Sequence, residues 1–136
     1  MDKWQAQQAF WSSFGLPAYD ELSVPDEIWD DDLQKMVKVT MPYITYEAVS
    51  GNIGAQTIVS ASIWYRSNSW KEISEKAEAI AKAIYEDERP AIPLDRGYMM
   101  VRLPDGQMHS SRMDEPTDKQ VRRIRLTVEL EFLTAY

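Results

Sequence analysis

The chain has 136 residues, of which 44% are hydrophobic and 11% aromatic, and this composition predicts one folded domain over residues 1–136. It contains no cysteine and a single histidine, His109, which excludes disulfides, thiol nucleophiles and histidine-rich zinc sites. The net charge of −7 disfavours a protein that grips nucleic acid, because phosphate contacts dominate that affinity.

Targeting and membrane segments are not predicted. No stretch approaches the roughly 18 apolar residues of a membrane span. The first ten residues, MDKWQAQQAF, lack the basic head and the apolar run of a secretory signal. We therefore expect a protein that is made and kept in the cytoplasm and contacts no membrane.

Residues 2–14 predict a short amphipathic helix, which Asp2 caps and which Gly15 ends in a left-handed conformation. Its two tryptophans, Trp4 and Trp11, are seven residues apart and therefore share one helix face. We interpret this face as part of a wide core surface, and alternatively as an aromatic contact surface for a partner.

An acidic segment follows the first helix. Residues 16–35 are predicted to be a long loop, and residues 17–40 carry seven acids against two lysines, including the run Asp30, Asp31 and Asp32. The acids of calcium loops are spaced at alternate positions around a glycine, and this run lacks that spacing. We therefore expect no metal site here.

Period-two alternation of apolar and polar residues predicts antiparallel strands in the middle and at the end of the chain. These are residues 35–41, 43–49, 57–67 and 121–136, with a hairpin at 96–113 around the turn Pro104-Asp105-Gly106. A capping box of Ser69 and Glu72 begins an amphipathic helix of about four turns. The predicted fold class is α+β: an antiparallel sheet of four to five strands with two helices packed mainly on one face.

The C-terminal strand carries the clearest positive charge. It opens with RRIR, and Arg123 and Arg125 point away from the apolar face that Ile124 and Leu126 begin. A chain with one acidic region and one basic edge can meet copies of itself head to tail. The alternative is that these charges only keep the surface soluble.

Motifs for chemistry are missing. The sequence has no glycine-rich phosphate loop and no nucleophile elbow, and its many carboxylates form no specific pattern. His109 lies in a polar arm of the predicted hairpin and is interpreted as an exposed strand residue. We predict no catalytic residue, no cofactor and no metal, and therefore a protein that is not an enzyme.

The predicted order of elements is helix, strands, helix, hairpin, strand. Three segments of the sequence are also informative: LPAYDE, PYITY and WYRSNSW. In these features, and over most of its length, the chain resembles the small tail-completion proteins of long-tailed bacteriophages and prophages. That group includes tail terminators and head–tail joining proteins. No catalytic motif is part of the resemblance.

The resemblance implies a minor structural protein of the virion tail or neck, made in the host bacterial cytoplasm. Such proteins commonly form a hexameric ring that caps the tail tube and joins it to the head connector. The implied partners are further copies of the chain, the tail tube protein and the connector protein. DNA would pass through the lumen without specific binding, repelled by acidic groups such as Asp30–Asp32.

A second interpretation is a monomeric adaptor or peptide-binding module without catalytic activity. Its binding surface would be Trp4, Trp11 or the strand edge near Pro42. For the ring interpretation, the candidate contacts with other subunits or with the tail tube are these residues: Trp4, Trp11, Asp30, Asp31, Asp32, Arg123 and Arg125.

Overall fold

The structure is a computed structural model, and it describes residues 1–86 and 91–136. The described elements comprise two helices and nine strands. In chain order they are α1 (Lys3–Ser12), β1 (Ala18–Asp20), β2 (Glu27–Asp30), β3 (Lys35–Lys38), β4 (Tyr43–Tyr46), β5 (Gln56–Arg66), α2 (Lys71–Glu86), β6 (Ala91–Leu94), β7 (Gly97–Arg102), β8 (Ser110–Met113) and β9 (Val121–Leu133). The predicted α+β class is confirmed.

The main sheet is larger than predicted. It has seven strands rather than four to five, in the order β1-β4-β5-β9-β7-β6, with β8 paired to β9 beside β7. The pairing is antiparallel except between β1 and β4, which run parallel. The additional strands are short, and β1 and β6 have three and four residues. Segments of that length are too short to show alternation, and Pro93 lies within β6.

The centre of the sheet matches the sequence prediction. Strands β5 and β9 pair along eleven residues, from Gln56 opposite Glu131 to Arg66 opposite Val121. The alternating apolar residues of both strands are buried on one face, as predicted: Val59, Ala61, Ile63, Ile124, Leu126, Val128, Leu130 and Phe132. Strand β4 pairs antiparallel with β5, from Tyr43 opposite Trp64 to Tyr46 opposite Ala61.

Both helices cover this same face. The Asp2 carboxylate accepts the amide of Gln5 at 2.8 Å to cap α1, and Gly15 has a φ of +81°, as predicted. The Ser69 hydroxyl accepts the amide of Lys71 at 3.1 Å at the start of α2. The buried residues of both helices join the buried face of the sheet in one core. Helix α1 contacts β1 at one end of the strand order and β6 at the other, so the sheet curls around it.

The predicted hairpin at 96–113 is wrong. Strands β7 and β8 do not pair with each other, because both pair with β9, β7 along Glu129–Leu133 and β8 along Arg123–Leu126. They lie end to end along β9 as two parts of one interrupted strand. The turn at residues 104–106 belongs to the loop that connects these two parts. The hairpin partner of β7 is β6.

The predicted loop at 16–35 and the strand at 35–41 also need correction. The loop contains β1 and β2, and the strand ends at Lys38 and pairs with β2 rather than with the main sheet. Strands β2 and β3 form a separate two-stranded ribbon on the connection between β1 and β4. We call residues 22–40 the arm.

Candidate interaction surfaces

The arm exposes apolar side chains on both of its faces. Four cross-strand pairs define those faces: Ile28 with Val37 and Asp30 with Lys35 on one, and Trp29 with Met36 and Glu27 with Lys38 on the other. Each face therefore combines one apolar pair with one pair of opposite charges. Such pairs fix the register of a ribbon, but they do not bury its apolar surface.

Three large apolar side chains of the ribbon that β2 and β3 form, including the turn between them, are more than half exposed. These are Trp29 at 54%, Leu33 at 58% and Met36 at 52%. Among the described helices and strands, β2 and β3 make substantial contacts only with each other. An isolated two-stranded ribbon is marginally stable in water, and contiguous exposed apolar surface is typical of protein interaction sites. The arm is therefore the first candidate for a contact with another molecule.

The acidic residues at the tip of the arm form hydrogen bonds that stabilise its turn. The Asp30 carboxylate accepts the backbone amides of Asp32 at 2.9 Å and Leu33 at 3.0 Å, and this closes the turn. Asp31 accepts the indole N–H of Trp29 at 2.8 Å and fixes the orientation of that ring. Asp32 is exposed. Two of the three acids therefore hold the tip in shape, and the third presents a negative charge.

The sheet face opposite the helices carries a row of aromatic rings across neighbouring strands. Tyr19 lies 5.9 Å from Tyr43, and Tyr43 lies 6.4 Å from Trp64, between ring centroids. The guanidinium of Arg123 lies over the Trp64 ring at 4.8 Å. We call Tyr19, Tyr43 and Trp64 the aromatic strip. It runs over β1, β4 and β5 and ends at the arginines of β9.

The two arginines that the sequence singled out both lie on this open face, but they differ in their contacts. Arg123 donates to the Ser62 hydroxyl at 3.0 Å and pairs with Glu115 at 3.3 Å. Arg125 is exposed and has no ion pair within residues 1–86 and 91–136. Arg125 is therefore the positive group that this face offers to a partner, whereas Arg123 also holds the face together.

The two tryptophans of α1 lie in different environments, which corrects the expectation that both could contact a partner. Trp11 has no exposed surface and stacks on Tyr46 with 6.4 Å between ring centroids. Trp4 is 54% exposed and lines a shallow groove with Leu94 and Tyr136. Trp4 lies in the first turn of α1, before the buried residues Ala6 and Gln7, so two residues on one helix face are not equally buried.

A polar cluster on the open face was not predicted. Arg102 of β7 donates to both carboxylate oxygens of Glu129, at 2.9 and 2.8 Å. With its amide oriented to satisfy both neighbours, Gln56 donates to Glu129 at 2.9 Å and accepts from Arg102 at 2.8 Å. The hydrogen bond to Glu129 raises the pKa of Arg102. No sequence signal marks this cluster, because its members become neighbours only once the register of β7 on β9 is known.

The single histidine of the chain lies beside a serine hydroxyl. His109 Nδ1 lies 2.7 Å from the hydroxyl of the adjacent Ser110, at the start of β8. Within the described ranges, no three histidine, aspartate or glutamate side chains are grouped as metal ligands. None of the helices described here is long and apolar enough to cross a membrane.

No protein-family model matches this chain, and no curated protein matches it significantly.

Proposed function

We propose that this chain is a structural protein whose copies assemble into a ring, and that the ring terminates a phage tail tube and joins it to the head connector. The observation that carries the self-assembly is the arm, which leaves Trp29, Leu33 and Met36 exposed on a ribbon whose two strands, among the described helices and strands, make substantial contacts only with each other. The phage role follows from the resemblance to tail-completion proteins in element order and in the LPAYDE, PYITY and WYRSNSW segments.

A ring, rather than a symmetric dimer, is favoured by the placement of charge. The acidic arm and the arginines of the open face are different surfaces of one chain. An interface between different surfaces is heterologous and closes into a ring when the rotation between copies closes. In this proposal the ring contacts the tail tube protein and the connector protein in the virion neck, and the negative net charge lets DNA pass through the lumen.

The structure leaves little of the binding surface that the adaptor interpretation requires. Trp11 is in the core, and the β4 edge near Pro42 is paired with β1, where the Ile44 amide donates to the Pro17 carbonyl at 2.8 Å. Of the two tryptophans that this interpretation offered, only Trp4 remains exposed. The geometry therefore supports self-assembly better than capture of a peptide.

The test is the native mass of the purified chain over a range of concentrations, with and without Mg²⁺, by sedimentation velocity and native mass spectrometry. We expect a closed oligomer that forms with rising concentration, with the six copies that the resemblance implies. A variant with residues 27–38 replaced by a short Gly-Ser turn should remain folded and monomeric. A wild-type chain that stays monomeric and does not co-purify with a tail tube protein would overturn the proposal.

A further inference from the structure

We infer that the arm of one copy docks on the open sheet face of the next copy, with its acidic tip against Arg125 and its Trp29–Met36 pair against the aromatic strip. The occupant of that face is thus a second copy of this chain. The inference rests on the proposed function, because it assumes that the chain self-assembles.

Charge complementarity gives the first reason. Residues 17–40 carry seven acids, and exposed Asp32 stands at the far end of the ribbon. Arg125 is exposed on the open face next to Arg123, and within the described residues it has no ion pair of its own. Opposite charges on two different surfaces steer the copies together and fix the register in which they dock.

The residue types on both surfaces give the second reason. Trp29 and Met36 are cross-strand neighbours on one ribbon face, and each is more than half exposed. The receiving face presents Tyr43 and Trp64, with the Arg123 guanidinium stacked on the indole. Tryptophan, tyrosine, methionine and arginine are the residues enriched in the cores of protein interfaces.

The arm does not occupy this face within its own chain. Its apolar side chains are exposed, and β2 and β3 contact the other described elements only weakly. Docking between copies also gives a reason for the hydrogen bonds of Asp30, which closes the turn, and of Asp31, which orients Trp29. A surface that binds a partner requires a tip of fixed shape. In this arrangement the acidic tip lies between subunits rather than in the lumen.

Charge reversal at the two sites tests the inference. Asp32→Lys and Arg125→Glu should each raise the dissociation constant for self-association about tenfold or more, because each brings like charges together. Arg96→Glu is the matched control: it makes the same charge change at an exposed arginine in the β6–β7 turn and should leave the constant unchanged. All variants are first compared with the wild type by circular dichroism and thermal unfolding.

An equimolar mixture of the two single variants decides between docking in trans and in cis. In a mixed ring, the reversed tip of Asp32→Lys meets the reversed face of Arg125→Glu, and the two native surfaces also meet. We therefore expect the mixture to regain wild-type association. If the arm docked on its own chain, the mixture would stay weak and only the double variant in one chain would recover.

The absence of cysteine in the chain allows a direct check. The variant carrying both Asp32→Cys and Arg125→Cys should form covalent multimers with a short bismaleimide, whereas Arg96→Cys with Arg125→Cys should not. Multimers from Asp32→Cys alone would show tip-to-tip contact and overturn the inference. If the wild type assembles but Asp32→Lys and Arg125→Glu assemble equally well, the inference fails and the proposed function stands. If the wild type neither assembles nor co-purifies with a tail tube protein, the proposed function fails with it.

Discussion

Arg102 of β7 lies directly opposite Glu129 of β9, and its guanidinium donates to both carboxylate oxygens, at 2.9 and 2.8 Å. The side chains are 23% and 10% exposed, so the pair is largely removed from water. Within residues 1–86 and 91–136, Glu129 is the one charged residue that is buried, although it lies on the face that the helices leave open. A paired charge at this depth is costly to break but is not necessarily a net gain over an apolar pair.

Removing one partner of this pair should destabilise the protein. We expect Glu129→Gln to lower the free energy of unfolding by about 2 kcal/mol, because the Arg102 guanidinium keeps its desolvation cost and loses its charged acceptor. Urea denaturation measures the change. The double variant Arg102→Met with Glu129→Leu should recover most of the loss. A double variant as unstable as the single one would show that the pair is a net stabiliser.

Gly97, the first residue of β7, should tolerate no side chain. Its φ is +106°, and a Cβ there would lie 1.9 Å from the Leu133 carbonyl oxygen, so the strain of the left-handed backbone adds to a clash with β9. We expect Gly97→Ala to cost more than about 2 kcal/mol of unfolding free energy. Gly106→Ala is the control, because its φ is +64° but nothing lies within 4 Å of the added carbon. That substitution should cost only the backbone strain, about 1 kcal/mol.

Truncation of the two tryptophans of α1 should change the stability of the protein by very different amounts. Trp11→Ala removes a fully buried ring that stacks on Tyr46, and the cavity should cost about 3–5 kcal/mol. Trp4→Ala removes a ring that is half exposed and should change stability by less than about 0.5 kcal/mol. Guanidinium denaturation followed by circular dichroism measures both. Equal losses would contradict the placement of Trp11 in the core and of Trp4 at the surface.

The sequence predicted the elements whose patterns are long. The alternation in β5 and β9 and the amphipathic spacing of α2 run over eleven, thirteen and sixteen residues, and each identified its buried face correctly. The sequence also predicted correctly that Asp2 caps α1, because a cap involves only residues that are close along the chain. These signals were sufficient because each depends only on neighbours along the chain.

What the sequence missed depends on pairing. Strand β1 is three residues long and becomes a strand only because β4 lies beside it. The turn at 104–106 was predicted correctly. The residues of a turn, however, do not show that the strand after it, β8, pairs with β9 rather than with β7. Arg125, which has no ion pair within the described residues, and Arg123, which pairs with Glu115, have the same sequence pattern. Their difference comes from Glu115, which lies eight residues from Arg123 along the chain and beside it in the fold.

Asp118, in the turn before β9, should titrate below the usual range of an aspartate. The Gln120 amide donates to its carboxylate at 3.0 Å and the Arg66 guanidinium at 2.9 Å, and together they lower the pKa of Asp118 from 3.8. A carboxylate with a lowered pKa contributes stability above its unfolded pKa, and that contribution is lost as the pH falls through the folded pKa. The stabilisation should therefore be present at neutral pH and disappear in acid, below pH 3.8.

Titration of the Asp118 carboxyl by NMR measures this pKa directly. In Arg66→Met the midpoint should rise only part of the way towards 3.8, because the larger cause, the hydrogen bond from the Gln120 amide, remains. Asp118→Asn should remove this part of the acid dependence of stability. A midpoint in the wild type at or above 3.8 would mean that the turn is open in solution, because both donors reach the carboxylate only when the turn is closed.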